Sequence, residues 1–122
     1  MAKIIINSTD SFGENISQKM IAKKVIENDV TIFTYDNKYG KGEIRISPYS
    51  TEILKFGEIQ SKLLIKPEIK TNFIYKTSYF NKNFTVLCKK YVYSENKLTI
   101  AYVIYDNNIE INQLEIEIIE VQ

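Results

Sequence analysis

Apolar and polar positions alternate with period two through most of this chain. Ile44 and Ile46 alternate with Glu43, Arg45 and Ser47. Ile59, Leu63 and Ile65 alternate with Gln60, Lys62 and Lys66, with Ser61 in phase on the apolar side. Phe73 and Tyr75 alternate with Asn72 and Lys76, and Leu98, Ile100, Tyr102 and Ile104 alternate with Lys97 and Thr99. Such alternation puts one face of a strand inward and the other in water. Short turn signals separate the runs, among them Glu27-Asn28-Asp29, Ser47-Pro48, Ser94-Glu95-Asn96 and Asp106-Asn107-Asn108. Each is too short to hold a crossover helix, so consecutive strands should pair antiparallel. The spacing predicts about ten strands in a meander, near 3–10, 16–26, 30–36, 42–47, 51–56, 58–66, 71–79, 84–94, 97–106 and 109–121.

Two segments depart from the simple pattern. Ile16 to Ile26 has fair helix propensity, but its apolar residues fit a helical stripe only in part, and the turn before it favours a strand. In the last strand Ile109 and Ile111 sit on odd positions, whereas Leu114, Ile116 and Ile118 sit on even ones. A bulge near Asn112-Gln113 would let both sets face the core. Ten antiparallel strands in so short a chain must hide their edges, which a closed barrel does most completely. A two-sheet sandwich satisfies the same pattern.

Composition agrees with an all-β domain. Ile, Tyr, Phe, Thr and Val abound and Ala is scarce. The 122 residues suit one domain, 1–122, with one core, and 44% hydrophobic residues exclude a disordered chain. There is no His, which excludes Ser-His-Asp and Cys-His catalysis and His-bound metals. The lone Cys88 excludes an internal disulfide, thiolate zinc sites and iron–sulfur clusters, and fits a reducing compartment. The run of three Ile near the N-terminus is too short for a signal peptide or a membrane span, so a cytoplasmic protein without membrane contact is expected. The net charge of +1 disfavours a dedicated nucleic-acid binder. Charge is uneven, however. Residues 106–122 hold five acids and no base, which leaves +6 on the other 105 residues, and Arg45 is the single arginine.

The order of the signals resembles the YwiB-like family, a bacterial domain family of unknown function. The similarity runs from the opening hairpin, Ile4 to Lys24, into Val30-Thr31-Ile32-Phe33-Thr34-Tyr35-Asp36. It continues through Ile53-Leu54-Lys55-Phe56-Gly57, Lys62-Leu63-Leu64-Ile65 and Phe73-Ile74-Tyr75-Lys76-Thr77 to Leu98-Thr99-Ile100-Ala101-Tyr102 and the closing strand Leu114 to Glu120. The family's Tyr-x-Thr-Pro-x-Gly run reads Tyr75-Lys76-Thr77-Ser78-Tyr79-Phe80 here, without the Pro and the Gly. The resemblance implies a calycin-like (lipocalin-like) antiparallel up-and-down β-barrel of about 8–10 strands. It transfers no activity and no catalytic residue.

The inward faces would then carry Ile4, Ile6, Met20, Ile32, Ile44, Ile46, Ile65, Phe73, Val86, Ile100, Ile104, Ile116 and Ile118. Such a lining either fills a barrel or surrounds a small ligand. Phe73, Tyr75, Thr77 and Tyr79 share a phase, and with Tyr102 would give an apolar wall polar handles. Arg45 alternates with isoleucines, so a solvated position is its default and an anion anchor its functional reading. Glu115 and Glu117 would lie about 7 Å apart on one strand face, which reads as solvated surface rather than a catalytic pair. Cys88 follows the inward phase of Val86, which suits an inert buried thiol. The leading expectation is a non-enzymatic protein that binds a small apolar or amphipathic molecule inside the barrel. No cofactor, no metal and no catalytic residue are expected, and the chain would be a monomer or homodimer. The alternative is a protein- or nucleic-acid-interaction module using lysines and tyrosines around residues 76–93.

Overall fold

The computed structural model describes residues 1–38 and 40–121. Ten strands follow one another: β1 (Ala2–Asp10), β2 (Asn15–Glu27), β3 (Val30–Asn37), β4 (Gly40–Ser47), β5 (Ser50–Phe56), β6 (Gln60–Ile65), β7 (Lys70–Lys76), β8 (Asn81–Ser94), β9 (Lys97–Asp106) and β10 (Ile109–Val121). Each pairs antiparallel with its sequence neighbours. β1 also pairs with β10, from Lys3 opposite Val121 to Asp10 opposite Leu114, and that seam closes the barrel. Closure sets aside the sandwich. It also leaves no strand edge unpaired, which antiparallel sheets otherwise must protect. No helix among the described residues is long and apolar enough to cross a membrane.

Several hairpins turn through residues with positive φ. Asn28 and Asp29, and Asn107 and Asn108, form two-residue turns in the left-handed region, which match the twist of the strands they join. Asp10 shapes the longer β1–β2 turn by accepting hydrogen bonds from the backbone N–H groups of Phe12 and Glu14 (2.9 and 3.0 Å). With an even number of strands, the turns divide between two rims. One rim, called upper here, holds the β2–β3, β4–β5, β6–β7 and β8–β9 hairpins and both strand ends nearest the termini. The lower rim holds the other five connections.

Inner-face residues pack into one core. Ile4, Ile44, Ile65, Val86, Leu98 and Ile100 are at most 1% exposed, and Ile116 and Ile118 join them. Partners across the ladder share a face, so the register assigns each strand's inner side. On β3 it selects Thr31, Phe33 and Tyr35, because Phe33 lies opposite Ile44 and Lys24. Ile32, expected inside, lies opposite Arg45 and Val25 on the outer wall and is only half-buried. The reason is competition: both faces of β3 carry apolar residues, and the larger aromatic pair takes the interior. Ile59, expected in β6, belongs to the β5–β6 turn and is half exposed.

Two bulges reset the phase. In β10 the register shifts between Glu110 and Asn112, one residue before the expected place. Asn112, Leu114, Ile116 and Ile118 then share the inner side, since their partners Ile104, Tyr102, Ile100 and Leu98 do. Ile109 and Ile111 are not recovered for the core; both stay exposed at the lower rim. In β8 the register shifts between Cys88 and Lys90. Val86 and Cys88 point inward before that shift, and Tyr91 and Tyr93 after it, opposite Ile100 and Leu98.

Gly42 marks the tightest packing in the wall. It lies opposite Tyr35, and a Cβ there would overlap the Tyr35 ring, which covers the glycine from inside. Gly42→Ala should cost about 1–3 kcal/mol, the usual penalty of overpacking. In urea denaturation the loss should shrink when Tyr35→Ala removes the ring, since contacting sites couple. Equal costs with and without the ring would contradict this packing.

Candidate functional site

The barrel's middle is packed with buried side chains, among them Ile44, Ile65, Val86, Ile100 and Ile116. Just inside the upper rim a small, partly open space of about 10 Å³, room for roughly one water, is lined by Ile4, Phe33, Ile46, Tyr93, Asn96, Leu98, Ile118 and Glu120. Ten strands make a wide barrel, but isoleucine and aromatic side chains occupy the added width. Space opens instead at the upper rim, where a depression of about 440 Å³ is lined by Asp29, Thr31, Ile46, Ser47, Pro48, Tyr91 and Tyr93. Ile46 and Tyr93 line both spaces, so the two adjoin at the upper rim.

The β8 bulge builds this mouth. Without the extra residue, Lys90 and Val92 would continue the inner phase of Val86 and Cys88. With it, two tyrosines face inward and the lysine faces water. Tyr91 forms the floor. Its hydroxyl donates to the Ser47 carbonyl at 3.0 Å and meets the Thr51 hydroxyl at 2.7 Å. A phenol has one proton, so Thr51 is the donor in the second bond. Thr51 is fully buried, and these bonds tie β8 to the β4–β5 hairpin across the rim. Burial pushes the Tyr91 phenol above its ordinary value, partly offset by the Thr51 bond. Tyr93, half exposed, lines the side of the depression.

Behind Tyr93 an ion pair sits on the inner side of the rim. Lys24 donates to both oxygens of Glu120 at 2.9 and 3.0 Å, and its ammonium lies 6.0 Å from the centre of the Phe33 ring. Lys24 lies opposite Phe33 and Glu120 opposite Ile4, so both belong to the interior face. Asp29 is the carboxylate on the depression's outer lip.

The residues singled out from sequence lie elsewhere. Phe73 and Tyr75 do face inward, but toward the lower rim. Phe73 stacks on Phe84 (5.8 Å between centroids) and meets Tyr75 edge-on (6.1 Å), while Phe80 folds back to stack on Tyr75 (5.8 Å). These rings plug the lower mouth. The shared face stops at Lys76, where β7 ends. Thr77 spends its hydroxyl on the turn, accepting from the Tyr79 and Phe80 N–H groups, and Tyr79 is 94% exposed. Tyr102 is buried mid-barrel opposite Cys88 and Leu114. Desolvation pushes its phenol up to about 12. Arg45 lies on the outer wall between Glu43 (2.5 Å) and Glu52 (3.4 Å), with Lys62 also reaching Glu52 (3.6 Å). Its charge is already answered, so it is poorly placed as an anion anchor. Cys88 is buried and donates to the Lys90 carbonyl (3.3 Å), and burial raises the thiol, which disfavours the nucleophilic thiolate.

The lysine–tyrosine stretch divides in the same way. Period two sends Tyr75 inward and Lys76 outward, and the bulge sends Tyr91 and Tyr93 inward with Lys90 outward. Stacking platforms for single-stranded nucleic acid need rings and cations on one surface. Here Lys76 and Lys90 face away from the neighbouring tyrosines, while Lys82, opposite Tyr75, lies 5.9 Å from the Phe84 ring centre on the inner face.

A domain family described as "Domain of unknown function (DUF1934)" matches residues 3–118. The chain belongs to the DUF1934 family. No curated protein sequence matches it. Among solved structures it is similar to the crystal structure of the ywiB protein from Bacillus subtilis, with a TM-score of 0.76 and 14% identity, over 99% of this chain and 92% of that one. That likeness bears on the barrel alone. In this DUF1934 chain, Tyr91 and Tyr93 are the mouth residues that sequence reasoning missed. The signal was there: Val86 and Cys88 are even, Tyr91 and Tyr93 odd, with adjacent lysines between, the same phase break that reveals the β10 bulge.

Two measurements check this description. Tyr91→Phe strands the buried Thr51 hydroxyl and should cost about 1–3 kcal/mol in urea denaturation, with much of it recovered in the Thr51→Val, Tyr91→Phe double variant. For Tyr102, the unfolded chain loses its phenolic proton near pH 10 while the fold keeps it to about 12. Its contribution, up to about 3 kcal/mol, is therefore full below pH 10 and disappears as pH rises through that window. Tyr102→Phe should flatten the alkaline fall in stability; an unchanged slope would contradict the burial.

Proposed function

We propose that this DUF1934 barrel is a non-enzymatic binding protein that takes a small amphipathic molecule at its upper mouth, not in its middle. The carrying observation is the depression of about 440 Å³, lined by the inner-face residues Thr31, Ile46, Tyr91 and Tyr93 together with the rim residues Asp29, Ser47 and Pro48. The volume falls in the range of small-molecule sites. Ile46, Tyr91 and Tyr93 supply an apolar surface, and Thr31, Ser47 and Asp29 supply polar groups on one side of it. The apolar body of a ligand would lie on the tyrosine rings, with a hydrogen-bond donor or cationic end toward Asp29. Tyr91 is pre-organised by its two hydrogen bonds, so binding there immobilises little. Tyr93 closes over the ligand.

The fluorescent amine 1-aminoanthracene is a suitable probe, with a flat apolar body and one donor end. Saturable one-to-one binding is expected, weakened about tenfold or more by Tyr93→Ala, the loss of one aromatic anchor. Tyr75→Ala, at the other mouth, should leave the affinity within about twofold. Absence of saturable binding, or sensitivity to Tyr75 and not to Tyr93, would overturn the upper-mouth reading.

A further inference from the structure

The lower rim presents a different surface. Among the described residues, its turns and strand ends carry large apolar side chains that are half exposed or more. Phe12, Ile59, Phe80 and Ile109 are at least half exposed, and Tyr79 almost wholly so. They come from three of the five connections on that rim and from the first residue of β10. Isolated exposed apolar residues are ordinary, but a crown of them on one end of a barrel is the kind of patch that marks an interface.

Charge on this rim is divided. The β9–β10 and β1–β2 connections are neighbours across the closing seam. They carry Asp106, Glu110, Asp10 and Glu14, a formal charge of −4 over residues 106–110 and 10–14. The opposite arc carries Lys38, Lys41, Lys55, Lys76 and Lys82 against Asp36 and Glu58, a formal +3 over residues 36–41, 55–60 and 76–82. One cross-tie, Lys82 to Asp106 at 3.0 Å, joins the arcs. The face is thus apolar at its turn tips, acidic along one side and basic along the other.

We propose that this lower face docks onto the same face of a second copy. A two-fold axis lying in the interface, perpendicular to the acid-to-base direction, sets each acidic arc on the partner's basic arc and the apolar tips on one another. This is the self-complementary arrangement that a two-fold dimer requires. Size is adequate. Ten strands spaced ~4.8 Å and tilted ~40° give a backbone radius of roughly 10 Å, and side chains extend the end face to roughly 700 Å². Stable pairs bury about 800 Å² per partner. An anionic membrane or nucleic acid would meet the acidic arc, which opposes either. Docking by this rim leaves the upper mouths open at the two far ends of the dimer, so the inference stands independently of the function proposed above.

Light scattering coupled to size exclusion, run from micromolar to millimolar protein, tests it. The mass should rise from 14.3 kDa toward twice that value. Phe12→Glu with Tyr79→Glu, both solvent-facing, should raise the dimer dissociation constant about tenfold or more while circular dichroism stays unchanged. Charge reversal gives the sharper arm. Lys41→Glu with Lys76→Glu should be monomeric alone, as should Glu14→Lys with Glu110→Lys, while an equimolar mixture forms a heterodimer. A wild type that stays monomeric, a dimer indifferent to Phe12 and Tyr79, or charge-reversed chains that fail to pair would each overturn the proposal. Cosedimentation of a monomer with phosphatidylcholine vesicles would overturn it in favour of a membrane surface.

Discussion

Pairing of the first strand with the last is the constraint on which this structure depends. The seam runs without interruption from Lys3 opposite Val121 to Asp10 opposite Leu114. It converts a linear meander into a ring, satisfies the last edge, and forces every strand to present one face to a shared interior. Inside a closed ring a one-residue slip moves a whole set of side chains from core to solvent, so register is strongly specified. The two bulges are where the chain changes phase. One in β10 keeps Leu114, Ile116 and Ile118 inside. The other in β8 trades a lysine for two tyrosines at the upper mouth.

From that geometry follows the contrast between the ends. The middle is packed with branched aliphatic side chains such as Ile44, Ile65, Val86 and Ile100. The lower mouth is plugged by the rings of Phe73, Tyr75, Phe80 and Phe84. Toward the upper rim, the floor of the depression is a tyrosine anchored by Thr51 and Ser47. A barrel filled in this way has a rigid body and a shallow, open site. Small-molecule recognition would then rest on a few rim residues held by a stiff scaffold.

Much of the fold was legible in the chain. Period-two alternation and short turns place ten strands close to their observed limits, because antiparallel neighbours need only local information. Which face of β3 turns inward was not legible, since Ile32 on one side and Phe33 and Tyr35 on the other are all apolar. The register with β2 and β4 decides it, and register is a tertiary fact. The candidate site was less accessible. Phe73, Tyr75 and Tyr102 were correctly read as inward, but inwardness in a barrel does not say which end is open. Thr77 and Tyr79 were lost to a turn that lacks the usual Pro and Gly signals. Tyr91 and Tyr93 were hidden behind a bulge whose mark, a change of phase around Lys89-Lys90, resembles an ordinary basic pair.

The central claim is the proposal that this DUF1934 barrel binds a small molecule at its upper mouth. Amide chemical-shift mapping during titration with 1-aminoanthracene tests it most directly. Shifts should concentrate on Asp29, Thr31, Ile46, Ser47, Tyr91 and Tyr93, with the mid-barrel amides of Ile100 and Ile116 and the lower-mouth amides of Phe73 and Tyr75 nearly still. Shifts centred on Ile100 and Ile116, or on Phe73 and Tyr75, would contradict the account.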